Sequence, residues 1–423
     1  MKKPINLKAY FLLLPILLIP VFGSIALGLI LCLALGLSIL IILQRNIDTE
    51  PTPHKLTGLI FISYFSYFSI QGLFFCSSVK QHVHDIGKIL PILIVGVLLI
   101  LIKKHTFKIS YKAISSMAIS SIFLTSALAI IFRYYPPNIN ILGETFVQKT
   151  GVMAQLEMGT GNALPFGTIF ITLAFITCVG IDRKSIWGKL ISFSALMLAV
   201  LIVGFWNTSR GPLLVVIPLT LLMFWYLTIK CKLNESWSLL FMGLTTITTL
   251  TLMFIIIQNA GYDVSSDMVN GLKEIVLQGS HDTSVNIRLT IYQAAVNAFI
   301  AKPLFGFGIG NVFSSVIDYL PETKSFGYSH LHNMFLNHAI AGGVFGLMLL
   351  LLLIGSPLIM LWRSKTKITD ESLYLSLVLV ITICGTGMSN VLFMHDLLAG
   401  FFCSLILVNG IVETDNKSKK LLF

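Results

Sequence analysis

The chain has 423 residues, of which 56% are hydrophobic and 11% charged, with a mean hydropathy of +0.88 and a formal net charge of +11. A soluble globular protein carries about a quarter charged residues, so this composition excludes a soluble enzyme, a disordered regulator and a secreted disulfide scaffold. The apolar residues fall in long unbroken runs, which specifies a helical integral membrane protein over a β-barrel.

In such a protein the 29 Lys and Arg report orientation, and no nucleic-acid partner is expected. The cysteines (Cys32, Cys76, Cys178, Cys231, Cys384 and Cys403) lie mostly in apolar runs without a CxxC pair, as small buried hydrophobes do. The first apolar run is too long for a signal peptide and lacks a cleavage site, so a retained N-terminus is expected.

A membrane-crossing helix needs about 20 mostly apolar residues. The run 10–43 is long enough for two short spans, with Pro15, Pro20 and Gly23 where a reversal would fall, and is read as a hairpin. Further runs at 57–75, 86–102, 113–132, 164–181, 186–206, 212–229, 238–258, 334–362, 372–391 and 396–412 bring the expectation to about twelve spans. With both termini in the cytoplasm, most of the cations fall on the inside segments.

Two outside segments are then long, 133–163 and 259–333. The second, between the ninth and tenth spans, has roughly 75 residues, and loops of that size are generally functional. Within it, 286–301 predicts an amphipathic helix with Ile287, Ile291, Ala295 and Ala298 or Phe299 on one face, stopped at Lys302-Pro303. Gly306, Gly308 and Gly310 then impose an irregular turn. No internal repeat divides residues 1–423, which are read as one polytopic membrane domain.

Ionisable residues are nearly absent from the span interiors, which argues against a proton-coupled transporter and sends the search for chemistry to the outer rim. Three constellations stand there. In Asn207-Thr208-Ser209-Arg210-Gly211-Pro212, Pro212 suits the first turn of the next helix, so Arg210 and the free amides present positive potential to an anion. The plainer alternative is a snorkelling arginine.

In Asn286-Ile287-Arg288-Leu289-Thr290-Ile291-Tyr292, the planar fork of Arg288 suits phosphate oxygens. Two such arginines from separate segments can hold a departing diphosphate, although a lone arginine equally suits a solvated helix face. In His330-Leu331-His332-Asn333, the spacing puts His332 in the first turn or cap of a long helix, where a neutral imidazole can accept a hydroxyl proton near pH 7. A histidine satisfied by backbone at the membrane interface is the alternative there, and His330 could be the working ring instead.

Weaker features are His82 and His84, expected in a short outside loop, and His395 with Asp396 at an outer junction that could line the same cavity. Gly159-Thr160-Gly161 precedes a span and does not fit the phosphate-loop template. No metal site is expected.

Together these constellations resemble the O-antigen ligase and O-antigen polymerase superfamily of polytopic glycosyltransferases, and most closely an O-antigen ligase. The likeness covers the whole topology and is most specific from Ser209 to Gly346. The family's histidine and asparagine, nine residues, glycine, two residues and glycine are met by His332, Asn333, Gly343 and Gly346. Arg210 and Arg288 match its two arginines, with Lys302-Pro303-Leu304-Phe305-Gly306 following; Leu347 and Met348 replace threonines common after the last glycine.

The resemblance implies a GT-C-like enzyme of the bacterial inner membrane with a periplasmic active site. Its donor would be O-antigen polysaccharide on undecaprenyl diphosphate, its acceptor a sugar hydroxyl of lipid A-core, and it would need no cofactor, metal or ATP. Arg210 and Arg288 would bind the diphosphate and His332 would activate the acceptor, with His330, Asn333 and Tyr292 in support. Direct displacement would invert the anomeric centre. An O-antigen polymerase, a protein O-oligosaccharyltransferase and a non-catalytic lipid-glycan transporter are the alternatives.

Overall fold

The computed structural model describes residues 12–43, 53–75, 79–102, 109–134, 140–141, 144–145, 163–181, 185–207, 210–230, 234–259, 283–320, 331–363 and 368–412. These residues are mostly helical, joined by short turns, with one two-residue antiparallel ladder, β1 (Asn140–Ile141) with β2 (Glu144–Thr145), and an isolated bridge from Ile109 to Val412. The apolar helices are α1 (Leu14–Leu43), α2 (Pro53–Phe75), α3 (Val79–Leu101), α4 (Tyr111–Tyr134), α5 (Ala163–Ile176), α6 (Ile186–Ile202), α7 (Arg210–Trp225) and α8 (Glu235–Asn259). The long loop contributes α9 (Thr283–Ala301) and the short α10 (Val312–Ile317), followed by α11 (Met334–Arg363), α12 (Asp370–Gly387) and α13 (Asp396–Ile411).

Among the described residues, seven helices are long and apolar enough to cross a membrane. They coincide with seven of the expected spans. The others coincide with shorter apolar helices at Leu14–Gly23, Ala26–Gly36, Ala163–Ile176, Ser236–Leu252 and Asp396–Ile411. The first run is thus two short helices meeting at Gly23, whose backbone is non-helical (φ 53°, ψ −125°). Cys178 and Cys403 are buried as expected, whereas Cys32 is exposed.

The predicted loop helix forms as α9, with Ile291, Ala295 and Ala298 buried and Ile287 and Phe299 partly so. It stops where Lys302-Pro303 leaves the helix. α9 packs against α11, which is itself broken at Gly343 (φ 62°, ψ −155°). A broken helix in a membrane exposes backbone groups that lipid cannot satisfy, at several kcal/mol each.

Here Val344 N and the carbonyls of Ile340, Ala341 and Gly342 find partners. Val344 N donates to Pro303 O at 2.8 Å, Phe307 N to Ile340 O at 2.8 Å and Gly308 N to Ala341 O at 2.9 Å. From α2, Gln71 Nε2 donates to Ala341 O at 2.5 Å and to Phe305 O at 2.6 Å, and Tyr67 Oη donates to Gly342 O at 2.6 Å. A turn lower, Nδ1 of the buried His338 lies 2.7 Å from Met334 O, so it carries the proton, and Nε2 accepts from Tyr64 Oη at 2.6 Å. The stretch Pro303–Gly308 and the stripe Tyr64, Tyr67 and Gln71 therefore clasp α11 at its break.

At Gly343 an added Cβ would strike the Leu304 carbonyl, and the positive φ is itself unfavourable for any other residue. Gly343→Ala should cost about 1–3 kcal/mol and lower the thermal unfolding midpoint of the detergent-purified protein. Gly28→Ala, at a helical position with open space around it, should leave that midpoint unchanged. Equal midpoints for the two variants would contradict the clasp.

Candidate active site

The residues ahead of α11 form a short, tightly held approach. Asn333 Oδ1 accepts from Phe335 N at 3.0 Å and Leu336 N at 3.1 Å, so Asn333 caps the helix. Sequence spacing offered His332 for the first turn or cap; the cap falls to Asn333 because its short amide reaches the free amides. His332 stands one residue earlier with a left-handed backbone (φ 51°), unusual for a non-glycine residue and common where function over-determines the chain. Leu331 N donates to Asn337 Oδ1 at 3.3 Å, which holds the other side of the turn.

The loop helix reaches this turn directly. Tyr292 Oη donates to the His332 carbonyl at 3.2 Å. Burial raises the Tyr292 phenol above its ordinary pKa, while the nearby Arg288 charge and a hydrogen bond with the Asn333 side chain pull it back. The phenol therefore stays protonated as a donor at neutral pH. Arg288 lies one helical turn before Tyr292 and is partly exposed, as is His332. Arg288, Tyr292, His332 and Asn333 thus meet in one place, although at least 40 residues separate the two segments.

Arg210 opens α7, three residues on from the end of a π-helical turn at Val203–Asn207. Pro212 falls in the first turn of that helix, as its fixed φ favours. Gly211 abuts Ser389 and Gly387 abuts Met334, so the turn after α12 touches the first residues of both α7 and α11. The backbone of Arg210 consequently opens at the same end of the bundle as the His332 turn. The Arg210 side chain and all of His330, like Gly159-Thr160-Gly161, lie outside the described residues.

His395 and Asp396 also come to this end. Asn337 Nδ2 lies 3.1 Å from Met394 Sδ, and His395 Nδ1 lies 3.2 Å from Asp396 Oδ1. His82 and His84 are not in a loop, because α3 begins at Val79. His82 is buried and His84 exposed, so the pair does not share a face. Among the described residues no group of three or more His, Cys, Asp or Glu side chains is arranged to hold a metal.

Sequence reasoning passed over Tyr64, Tyr67, Gln71 and His338, which fix the α11 break behind the site. A signal was present: Tyr64, Tyr67 and Gln71 recur at helical spacing as a polar stripe within an otherwise apolar span.

Geometrically, the site offers an arginine on α9, one turn from the Tyr292 that bonds the backbone of a histidine at a helix start, with the backbone of a second arginine opening another helix at the same end. That set suits a phosphate-bearing ligand and proton transfer from a hydroxyl. A comparison with curated proteins returned no match. Residues 195–351 match the family model described as O-antigen ligase, a stretch that contains Arg210, Arg288, Tyr292, His332, Asn333, Gly343 and Gly346, and over that stretch the chain is similar to the O-antigen ligase family.

Proposed function

We propose that the protein is an O-antigen ligase of the bacterial inner membrane, acting on its periplasmic side with both termini in the cytoplasm. It transfers polysaccharide from undecaprenyl diphosphate to a sugar hydroxyl of lipid A-core. The observation that carries this reading is the hydrogen bond from Tyr292 to the His332 carbonyl, which draws the Arg288 helix to the His332 turn within the family-matched stretch.

Both substrates enter laterally from the outer leaflet and meet at the site end of the bundle. His332 takes the proton of the acceptor hydroxyl as that oxygen attacks the anomeric carbon, and the bond from this carbon to the diphosphate oxygen breaks. Arg210 and Arg288 stabilise the negative charge that undecaprenyl diphosphate gains on leaving, the task a metal performs in many soluble transferases. A sugar diphosphate is already activated, so the reaction needs neither ATP nor metal. Displacement from the opposite face inverts the anomeric configuration.

Tyr292 and Asn333 act by position. Tyr292 tethers α9 to the His332 turn and Asn333 anchors that turn to α11, so the arginine and the imidazole keep a fixed separation. Such pre-organisation is a large part of what a site without covalent chemistry can contribute.

The direct test combines purified protein, undecaprenyl-diphosphate glycan and lipid A-core in detergent with a chelator and no ATP, and looks for the joined product. Product should form, and dependence on added metal would contradict the mechanism. His332→Ala, Arg288→Ala and Arg210→Ala should each lose about a hundredfold to ten-thousandfold in rate while remaining folded. In cells these variants should leave bare cores and polymer stranded on undecaprenol; cores bearing a single repeat would instead identify an O-antigen polymerase. Tyr292→Phe should lose about fivefold to tenfold, the worth of one hydrogen bond of about 1 kcal/mol.

A further inference from the structure

The bundle carries a second polar feature at the end remote from His332. A cleft of about 390 Å³ lies between α4, the turn after α5 and the start of α6. Its α4 wall presents Lys112, Ser116 and Ser120, at i, i+4 and i+8 on one helix face, and all three are exposed. From α6 come Ser185, whose hydroxyl accepts from Gly188 N at 3.0 Å, and the buried Ser192.

The location follows from helix length. The span Ile186–Asn207 has 22 residues. At 1.5 Å per residue it covers about 33 Å, close to the thickness of a hydrocarbon core. One end of that span is the cleft and the other leads into Arg210, so the two features face opposite membrane surfaces. Trp187, 71% exposed beside the cleft, is the residue type that settles at a membrane interface.

The wall also grades with depth. Lys112 stands at the first turn of α4, Ser116 and Ser120 follow, and Ile119 and Ile191 line the same space. Beyond them Phe123 and Leu124 are exposed on α4. Lys112 to Ser120 covers about 12 Å along the helix. A helix face turned only to acyl chains would be apolar throughout; this one runs from cation through hydroxyls to hydrocarbon, the polarity profile of an upright phospholipid.

We propose that this cleft seats an anionic phospholipid, with its phosphate headgroup beside Lys112, its glycerol region along Ser116 and Ser120, and its acyl chains continuing over Phe123 and Leu124. The assignment is independent of the reaction proposed above.

Native mass spectrometry of the full chain, purified in detergent and offered equimolar phosphatidylglycerol and phosphatidylcholine, tests it. The wild type should retain one phosphatidylglycerol in preference. Lys112→Gln, which keeps a long polar side chain at an exposed position, should reduce that preference about fivefold, the worth of one lysine near an anionic surface. The double variant Ser116→Leu/Ser120→Leu should lose the retained lipid. Equal retention of the two lipids by the wild type, or an unchanged preference in Lys112→Gln, would overturn the proposal. Displacement of the lipid by inorganic phosphate at the same molar excess would also overturn it, by assigning the cleft to a free anion.

Discussion

The break at Gly343 is the constraint on which the site depends. A span that interrupts its own hydrogen-bond ladder must recover the freed carbonyls and amide from elsewhere, because lipid supplies no partners. The chain recovers them from two sources, the Pro303–Gly308 stretch that follows α9 and the side chains of Tyr67 and Gln71 on α2. Once those bonds are made, the end of α9 is tied to the middle of α11.

The tie sets a register. Tyr292 touches His332, and about ten residues later in both segments Pro303 touches Val344. Between these two contacts the segments therefore run in the same direction. Arg288, one turn before Tyr292, is carried to the His332 turn by this pairing. Features far apart in the sequence, an arginine in the loop helix, a lysine-proline stretch and a histidine followed by two spaced glycines, become one mechanical unit. Gly343 permits the break, the backbone of Leu304 and Phe305 presses against it, and Gly346 lets Phe68 of α2 approach closely.

Much of this was legible in the sequence. Apolar runs located the helices, because span length is dictated by bilayer thickness and needs no tertiary knowledge. The stop of α9 followed from Lys302-Pro303, while the helix begins at Thr283, three residues before the start that its apolar face predicts. Less accessible were features that depend on a distant partner. Of the three residues that marked a reversal in the first run, Pro15, Pro20 and Gly23, only contacts within the fold decide that the break falls at Gly23. Asn333 takes the cap that spacing also offered to His332, since backbone geometry decides between neighbours. Lys80, His82, His84, Asp85 and Lys88 dilute the hydropathy around His82 and His84 so that composition suggests a loop; the helix begins earlier, with Asp85 paired to Lys88 at 2.7 Å. The polar stripe of α2 was visible, yet its purpose appears only beside the broken helix it supports.

The central claim is that Arg210, Arg288 and His332 serve one diphosphate-binding site at a single membrane surface. A cryo-electron microscopy structure of the full chain in a lipid nanodisc, with a non-transferable undecaprenyl diphosphate analogue, measures this directly. The account predicts diphosphate density between the two guanidinium groups with the His332 ring facing the sugar-bearing end. Density at the opposite membrane surface, or beside only one arginine and away from His332, would contradict it.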